Sequence, residues 1–350
     1  MKKYLKTKKT IYVGPDINYI TGQSKSFSYL TENNTSENNY FLNYTVERSF
    51  SKNLNFILLF FLKLNKINPD SVYLTISRSF FGFIRDSLVI HLSFIFNCKI
   101  IVHLHGSDLN EFIDNSNSIL RKFILYTYSK VDHYILLSKS MKDQLKYFNE
   151  PNYSAVVNAV DNELYKVKFS PLNSVFTFTY MSNLIPEKGL EIFLVFFAKK
   201  FGNNDNYIFI ICGKNGYNKK LDELVSHFTN KFNNIFYLGV VSDTKKTLVM
   251  SVTNCIVLLS KYRSEAQPIC ILEGYVIGVP VIAYSYKYIN DLININNGYL
   301  CDYLTENELD KAVMHIESNY NEISDYNKSI RANFTVKNFV LNIKTVINNV

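Results

Sequence analysis

The chain has no apolar run long enough to cross a membrane. Its longest, Phe56-Ile-Leu-Leu-Phe-Phe-Leu62, is stopped by Lys63, well short of the roughly 20 residues a spanning helix requires. A spanning protein is excluded. The start, Met1-Lys-Lys-Tyr-Leu-Lys-Thr-Lys-Lys9, is basic but leads into Thr10-Ile-Tyr-Val-Gly14, too short for the apolar part of a secretory signal. Cytoplasmic residence is the expectation. Cysteine is sparse: Cys98, Cys212, Cys255, Cys270 and Cys301 show neither paired nor metal-like spacing, and four of them fall in or beside apolar strand-like runs. They read as reduced core thiols. No dense cluster of His, Cys and Asp is visible, which argues against a structural zinc site and for a metal-independent protein.

What is present is a large apolar fraction and an uneven charge. The 350 residues are 47% hydrophobic, ample for two cores, and the length favours two domains. Residues 1 to 170 hold 21 Lys and Arg against 14 Asp and Glu, a net of +7, while residues 171 to 350 hold 17 against 16, a net of +1. A basic first half fits an anionic membrane leaflet or a phosphorylated substrate, and equally a solvated lysine-rich surface. Nucleic acid is not expected, because no nucleic-acid motif accompanies the charge.

Short apolar runs alternate with longer amphipathic ones, the pattern of an α/β chain with parallel sheets and crossover helices. Strands are predicted at Ile11 to Val13, Phe41 to Val46, Ser71 to Ile76, Lys99 to Leu104, His133 to Leu137 and Ala155 to Val157, with helices near 22–31, 53–67, 80–97, 117–130 and 139–148. A polar stretch from Asn158 to Ser174, containing Pro171, reads as a linker. The alternation then restarts: Val175 to Met181, a helix from Glu187 to Lys200, Tyr207 to Cys212, a helix near 218–230, Asn234 to Leu238, Cys255 to Leu259, a further helix and Val279 to Tyr284. Two Rossmann-like domains are expected, at 1–165 and 166–335, with a final helix at 336–350 that could cross back to the first.

The most informative segment is Glu265-Ala-Gln-Pro-Ile-Cys-Ile-Leu-Glu273-Gly274, which follows the run Cys255-Ile-Val-Leu-Leu259. Pro268 at the first helical position would begin a helix there. The N–H groups of Ile269 and Cys270 would then be donors without intrahelical partners, a setting that suits phosphate. Three more segments fall at predicted strand ends, where open parallel sheets bind ligands: His103-Leu-His105-Gly-Ser-Asp108, Ser182-Asn183-Leu-Ile-Pro-Glu187-Lys188-Gly189 and Gly213-Lys-Asn-Gly216.

Taken in order, these segments resemble the retaining nucleotide-sugar glycosyltransferases of the GT-B fold, glycosyltransferase family 4. The matching residues are His105-Gly-Ser-Asp108, Val156-Val-Asn158-Ala-Val-Asp161, Lys188-Gly189, Gly213, Gly239, and Glu265-x7-Glu273 followed by Gly278-Val-Pro-Val281. The resemblance implies two Rossmann-like domains that close on an interdomain cleft. It implies that Lys188 neutralises the donor diphosphate with the Ile269 and Cys270 N–H groups, that Glu273 accepts from the ribose hydroxyls, and that Glu265 contacts the transferred sugar. His105, from the opposite domain, would stabilise developing charge. Gly213 and Asn183 belong to loops of the donor side.

Bland readings stand beside these. His103 is expected to pack within its strand, and Asp108 to cap the following helix or touch ligand. Gly22-Gln-Ser24 would cradle an acceptor or the donor phosphate, or simply begin a helix. Arg85-Asp86 reads as an ion pair. Leu54 to Leu64, apolar nearly all round with Lys52, Lys63 and Lys66 at its ends, reads as buried between sheet and neighbouring helix, the alternative being a membrane-surface helix. Two departures from the family pattern concern the donor: Ser182-Asn183 replaces the usual Gly-Arg, and Tyr286-Lys287 replaces a Gly pair, with Lys287 the candidate for a compensating charge. The expected activity is retaining transfer from a nucleoside diphosphate sugar, with no further cofactor, to a hydroxyl of a polyprenyl-diphosphate-linked glycan in bacterial surface polysaccharide assembly. It would take place in the cytoplasm or at the inner face of the plasma membrane. A nucleotide-sugar hydrolase or epimerase of the same fold, and a catalytically silent scaffold, are the rivals.

Overall fold

The computed structural model describes residues 8–18, 21–34, 36–45, 50–168 and 175–350. Val46, Pro171 and the basic opening Met1 to Thr7 lie outside the described residues. Two compact units emerge from the internal packing, one running to Asn158 and taking in Val336–Val350, the other spanning Ala159–Thr335. The segment 159–165, assigned to the first domain from sequence, therefore packs with the second unit. Its short 3-10 helix Asn162–Lys166 lies against the helices Asp243–Val252 and Ile269–Ile277.

The first unit is built on β1 (Thr10–Pro15), β2 (Asn39–Tyr44), β3 (Ser71–Thr75), β4 (Lys99–His103), β5 (His133–Leu136) and β6 (Tyr153–Ala155). They form one parallel sheet in the order β2-β1-β3-β4-β5-β6. Ile11, Val13, Val72, Leu74, Ile100, Ile101 and Val102 are fully or almost fully buried, as expected of strands covered on both faces. Helices Gly22–Asn33 and Val336–Asn349 pack on each other, and Phe50–Ile67, Phe80–Ile95 and Ser118–Tyr128 form a second packed series.

The second unit repeats the plan with β7 (Phe176–Met181), β8 (Tyr207–Cys212), β9 (Ile235–Gly239), β10 (Cys255–Leu258), β11 (Val281–Tyr284) and β12 (Gly298–Cys301). The parallel order is β12-β11-β10-β7-β8-β9. Strand order reverses between β1 and β3 in the first sheet and between β7 and β10 in the second. Such switch points are where doubly wound sheets open a crevice beyond the strand ends.

Four local expectations are corrected. The segment 139–148 is not an α-helix but the 3-10 turn Ser140–Leu145, closed by i to i+3 bonds such as Lys142 N–H to Lys139 C=O at 3.2 Å. The helix placed at Glu187 begins at Leu190, after a 3-10 turn Pro186–Lys188 and the left-handed Gly189. Strand β12 and the helices Asp243–Val252, Glu306–Ser318 and Tyr320–Ile330 were not anticipated. Finally, Phe50–Ile67 buries one face only: Phe56, Phe60 and Leu64 enter the core, whereas Leu54, Leu58, Leu59, Phe61 and Leu62 are exposed. Among the described residues no helix is long and apolar enough to cross a membrane.

Candidate active site

At the switch point of the second sheet the segments that follow β7 and β10 are clasped together. The Lys261 N–H donates to the Glu187 carbonyl at 2.6 Å. Gly189 lies directly on the Leu259 carbonyl with φ +77°, where any Cβ would collide with that oxygen; only glycine meets both conditions. At the end of its 3-10 turn the Lys188 ammonium forms an ion pair with the Glu265 carboxylate, and the side chains are only 14% and 10% exposed. The Ser260 hydroxyl donates to the same carboxylate oxygen at 3.2 Å, and Lys188 also stands over the Tyr262 ring, 4.9 Å from its centroid.

The helix that follows starts one residue later than the sequence indicated. Pro268, with φ −60° and ψ 121°, is the extended capping residue, and Ile269 is the first helical one. No side chain caps this end, so the Ile269 and Cys270 N–H groups get no acceptor from the cap and the positive end of the helix dipole is left for a ligand. Further along the same helix Glu273, buried, pairs with Lys246 of the helix Asp243–Val252. Burial lowers the Lys246 pKa, but Glu273 and then Asp161 more than offset this and hold the ammonium above the ordinary lysine value. Burial, reinforced by Glu273 and Glu265 and opposed by Lys188 and Lys246, pushes the Cys270 thiol up to about 12. Cys270 thus lies within the field of both ion pairs and is not a thiolate nucleophile at neutral pH.

Asn183 and Gly213 lie in adjoining loops after β7 and β8. Gly213 meets the Ser182 carbonyl so closely that a Cβ would overlap it. The two loops are stitched by Leu184 N–H to Lys214 C=O at 2.9 Å and by Lys214 N–H to Asn183 Oδ1 at 3.2 Å; the Asn183 amide donates to the Tyr217 hydroxyl at 3.2 Å. The short Asn183 side chain is committed to joining loops, where the family pattern has a cation. Lys287 donates to the Arg263 carbonyl at 2.5 Å and so braces the loop that carries Glu265.

His105 belongs to the first unit, just beyond β4. Its ring lies 3.9 Å from that of His103 between centroids, and Tyr73 and the His103 Nδ1 share a 2.6 Å hydrogen bond. His103 ends β4 and is fully buried, in keeping with a packing role. The Nε2 atoms of both histidines are buried and find no hydrogen-bond partner among the described residues. Burial first, and the Arg78 charge second, lower the His105 pKa to about 3; burial and His105 lower that of His103. Arg78 bonds Asp108 at 2.5 Å. Asp108 occupies the capping position of Leu109–Asp114 without capping it, and the side-chain Oε1 of Gln144 accepts the Leu109 N–H at 2.9 Å instead. The buried Asp86, paired with Arg85 at 2.7 Å, accepts the Ser77 N–H at 2.6 Å and fixes the turn that presents Arg78.

A neutral, buried histidine has a measurable signature. Between pH 6.5 and about 3 the unfolded chain binds a proton that folded His105 refuses, so stability must fall as pH falls through that window. The expected loss from His105 alone reaches about 2 kcal/mol by pH 5. Denaturant melts of the wild type and of His105→Gln at pH 7 and pH 5 should show a shallower acid loss in the variant, and equal losses would refute the assignment.

Gly22 is the first residue of the helix Gly22–Asn33, not part of a loop. Thr21 caps it in a reciprocal box with Ser24: the Thr21 Oγ1 accepts the Ser24 N–H at 3.1 Å and the Ser24 Oγ accepts the Thr21 N–H at 2.9 Å. Gln23 spans the switch point of the first sheet instead, reaching the Tyr44 hydroxyl at 3.3 Å and the Ile76 carbonyl at 3.4 Å. The sequence-derived residues therefore gather as Lys188, Glu265, Ile269, Cys270 and Glu273 around one helix end, with Asn183 and Gly213 on loops of the same sheet, and His105 and Gly22 on the first unit. Lys246 and Arg78 were missed. For Arg78 the signal was the polar Ser77-Arg78-Ser79 directly after a strand; for Lys246 there was none.

Residues 162–333 match the family model described as glycosyl transferases group 1. No curated protein sequence gives a significant match. Solved structures match over nearly the whole chain. Anabaena HepE in complex with UDP aligns with a TM-score of 0.75 at 15% identity, covering 98% of this chain and 100% of its own. Sucrose-phosphate synthase from Thermosynechococcus elongatus aligns at 0.76 with 14% identity, covering 97% and 98%. The lipopolysaccharide outer core galactosyltransferase WaaB, in its apo form, aligns at 0.69 with 14% identity, covering 97% and 99%. The architecture is the GT-B α/β fold.

Proposed function

We propose that this chain, a GT-B protein whose second unit carries the group 1 glycosyltransferase match, is a retaining, metal-independent glycosyltransferase. It moves a sugar from a nucleoside diphosphate sugar to a hydroxyl of a lipid-linked glycan at the cytoplasmic side of a membrane, in surface polysaccharide assembly. The observation that carries this reading is the Lys188–Glu265 ion pair at the uncapped start of Ile269–Ile277. A sugar diphosphate presents the two chemistries this pair can divide. Its phosphates compete for Lys188 and the helix N–H groups, and its sugar hydroxyls donate to Glu265. Lys246 keeps Glu273 paired while leaving carboxylate lone pairs for the ribose hydroxyls. As the glycosyl bond breaks, the leaving diphosphate takes the electron pair and Lys188 with the helix dipole balances its charge. The basic first half and the naming of WaaB as a lipopolysaccharide galactosyltransferase support the acceptor class; UDP in the HepE complex makes uridine diphosphate sugars the first donors to test.

The test is a panel of nucleotide sugars with purified protein, read by melting temperature, nucleotide release and transfer to polyprenyl-diphosphate glycans. The expected result is a donor-specific rise in melting temperature with diphosphate release only when acceptor is added. Release without acceptor would mean a hydrolase. A melting shift with neither release nor transfer would mean a scaffold.

A further inference from the structure

We infer that the outer face of the helices Phe50–Ile67, Phe80–Ile95 and Ser118–Tyr128 is a docking surface for an anionic lipid bilayer. The three helices pack side by side in this order, with Phe61 against Phe96 at 5.9 Å and Phe83 against Phe123 at 5.4 Å between ring centroids. Their outward positions are apolar at helical spacing. Leu58 and Leu62 on the first, Phe81, Leu88 and Ile95 on the second, and Ile119 on the third are all exposed, Ile119 to 82%. Folded soluble proteins rarely expose apolar surface this continuous unless something covers it.

Charge identifies the cover. Across all three helices the only acidic residue is Asp86, which is fully buried and paired with Arg85. Lys52, Lys66 and Lys122 are exposed on the same helices. Lys130, just beyond the third, lays its ammonium over the Phe94 and Tyr126 rings at 4.4 and 4.0 Å, a cation–π contact that adds positive charge to the aromatic part of this surface. A second copy of the chain on this face would bring lysines against lysines with no exposed acid on these three helices to pair them. An anionic leaflet offers acyl chains to the leucines and phosphates to the lysines. Among the described residues no helix is long and apolar enough to span, and the association inferred is interfacial and reversible.

The experiment uses the full chain and two vesicle preparations, phosphatidylcholine alone and equimolar phosphatidylcholine with phosphatidylglycerol, read by co-sedimentation. The expected result is binding to the anionic vesicles that weakens with salt. It should fall about tenfold or more in the double variant Leu58→Asp, Leu62→Asp, and should lose its preference for phosphatidylglycerol in Lys66→Glu, Lys122→Glu. Unchanged melting curves and UDP-induced melting shifts would show both variants folded. Absence of binding to anionic vesicles, or binding indifferent to the leucine substitutions, overturns the inference. So does a dimer in light scattering that the leucine variant dissociates. Vesicle binding is read without donor or acceptor, so its failure is distinguishable from failure of the glycosyltransferase reading.

Discussion

Lys188→Ala is expected to weaken nucleoside diphosphate binding by about 2–5 kcal/mol, the range for removing one partner of a desolvated charge pair. Two effects combine. The diphosphate loses its point cation, and Glu265, left in place beside it, turns from a neutralised neighbour into a repelling one. A double-mutant cycle separates them. In Lys188→Ala, Glu265→Gln the repulsion is gone, so part of the lost UDP affinity should return, measured by calorimetric titration. Affinity unchanged by Lys188→Ala, or no recovery in the double variant, would remove Lys188 and Glu265 from the donor site. Glu273→Ala is expected to weaken UDP binding less, because it removes hydrogen-bond acceptors from a ribose and not a countercharge from a diphosphate.

The second large effect is on folding. Lys246→Ala strands the buried Glu273 carboxylate, and an unpaired buried charge costs about 3–5 kcal/mol. Denaturant melts of the wild type and the variant at pH 7 measure the deficit. Replacing both partners, Lys246→Met with Glu273→Gln, should restore most of the stability. No recovery in the double variant would mean that Lys246 contributes packing and not charge.

Much of the architecture is legible in the sequence because a strand buried on both faces must be apolar throughout. Tyr207-Ile-Phe-Ile-Ile-Cys212 admits no other reading. The loops that carry Lys188 and Glu265 are legible for a related reason, since polar residues placed directly after such runs fall at strand ends. What sequence does not reveal is any pairing between elements distant in the chain. Lys246 and Glu273 meet through two helices packed side by side, and DTKKTLVMSV marks its own helix weakly. Strand β12 has four residues, Gly298-Tyr-Leu-Cys301, too few for a pattern. Asp108 misleads because Arg78, thirty residues earlier in the chain, claims the carboxylate that would otherwise cap the next helix. The apolar stretch around Leu58 misleads by composition: burial is the ordinary fate of such residues, and only the packing shows which face remains uncovered.

The helix Val336–Asn349 packs with the first unit, placing Phe339 against Tyr29 at 6.5 Å and against His103 at 6.4 Å between ring centroids. During synthesis it leaves the ribosome only after the whole of Ala159–Thr335. At translation rates of about 5–20 residues per second, the first unit waits roughly 10–35 s with the apolar surface of Gly22–Asn33 uncovered. The N-terminal unit is therefore the last to be completed, and nascent chains stalled within the second unit should depend on chaperones in a way the released protein does not.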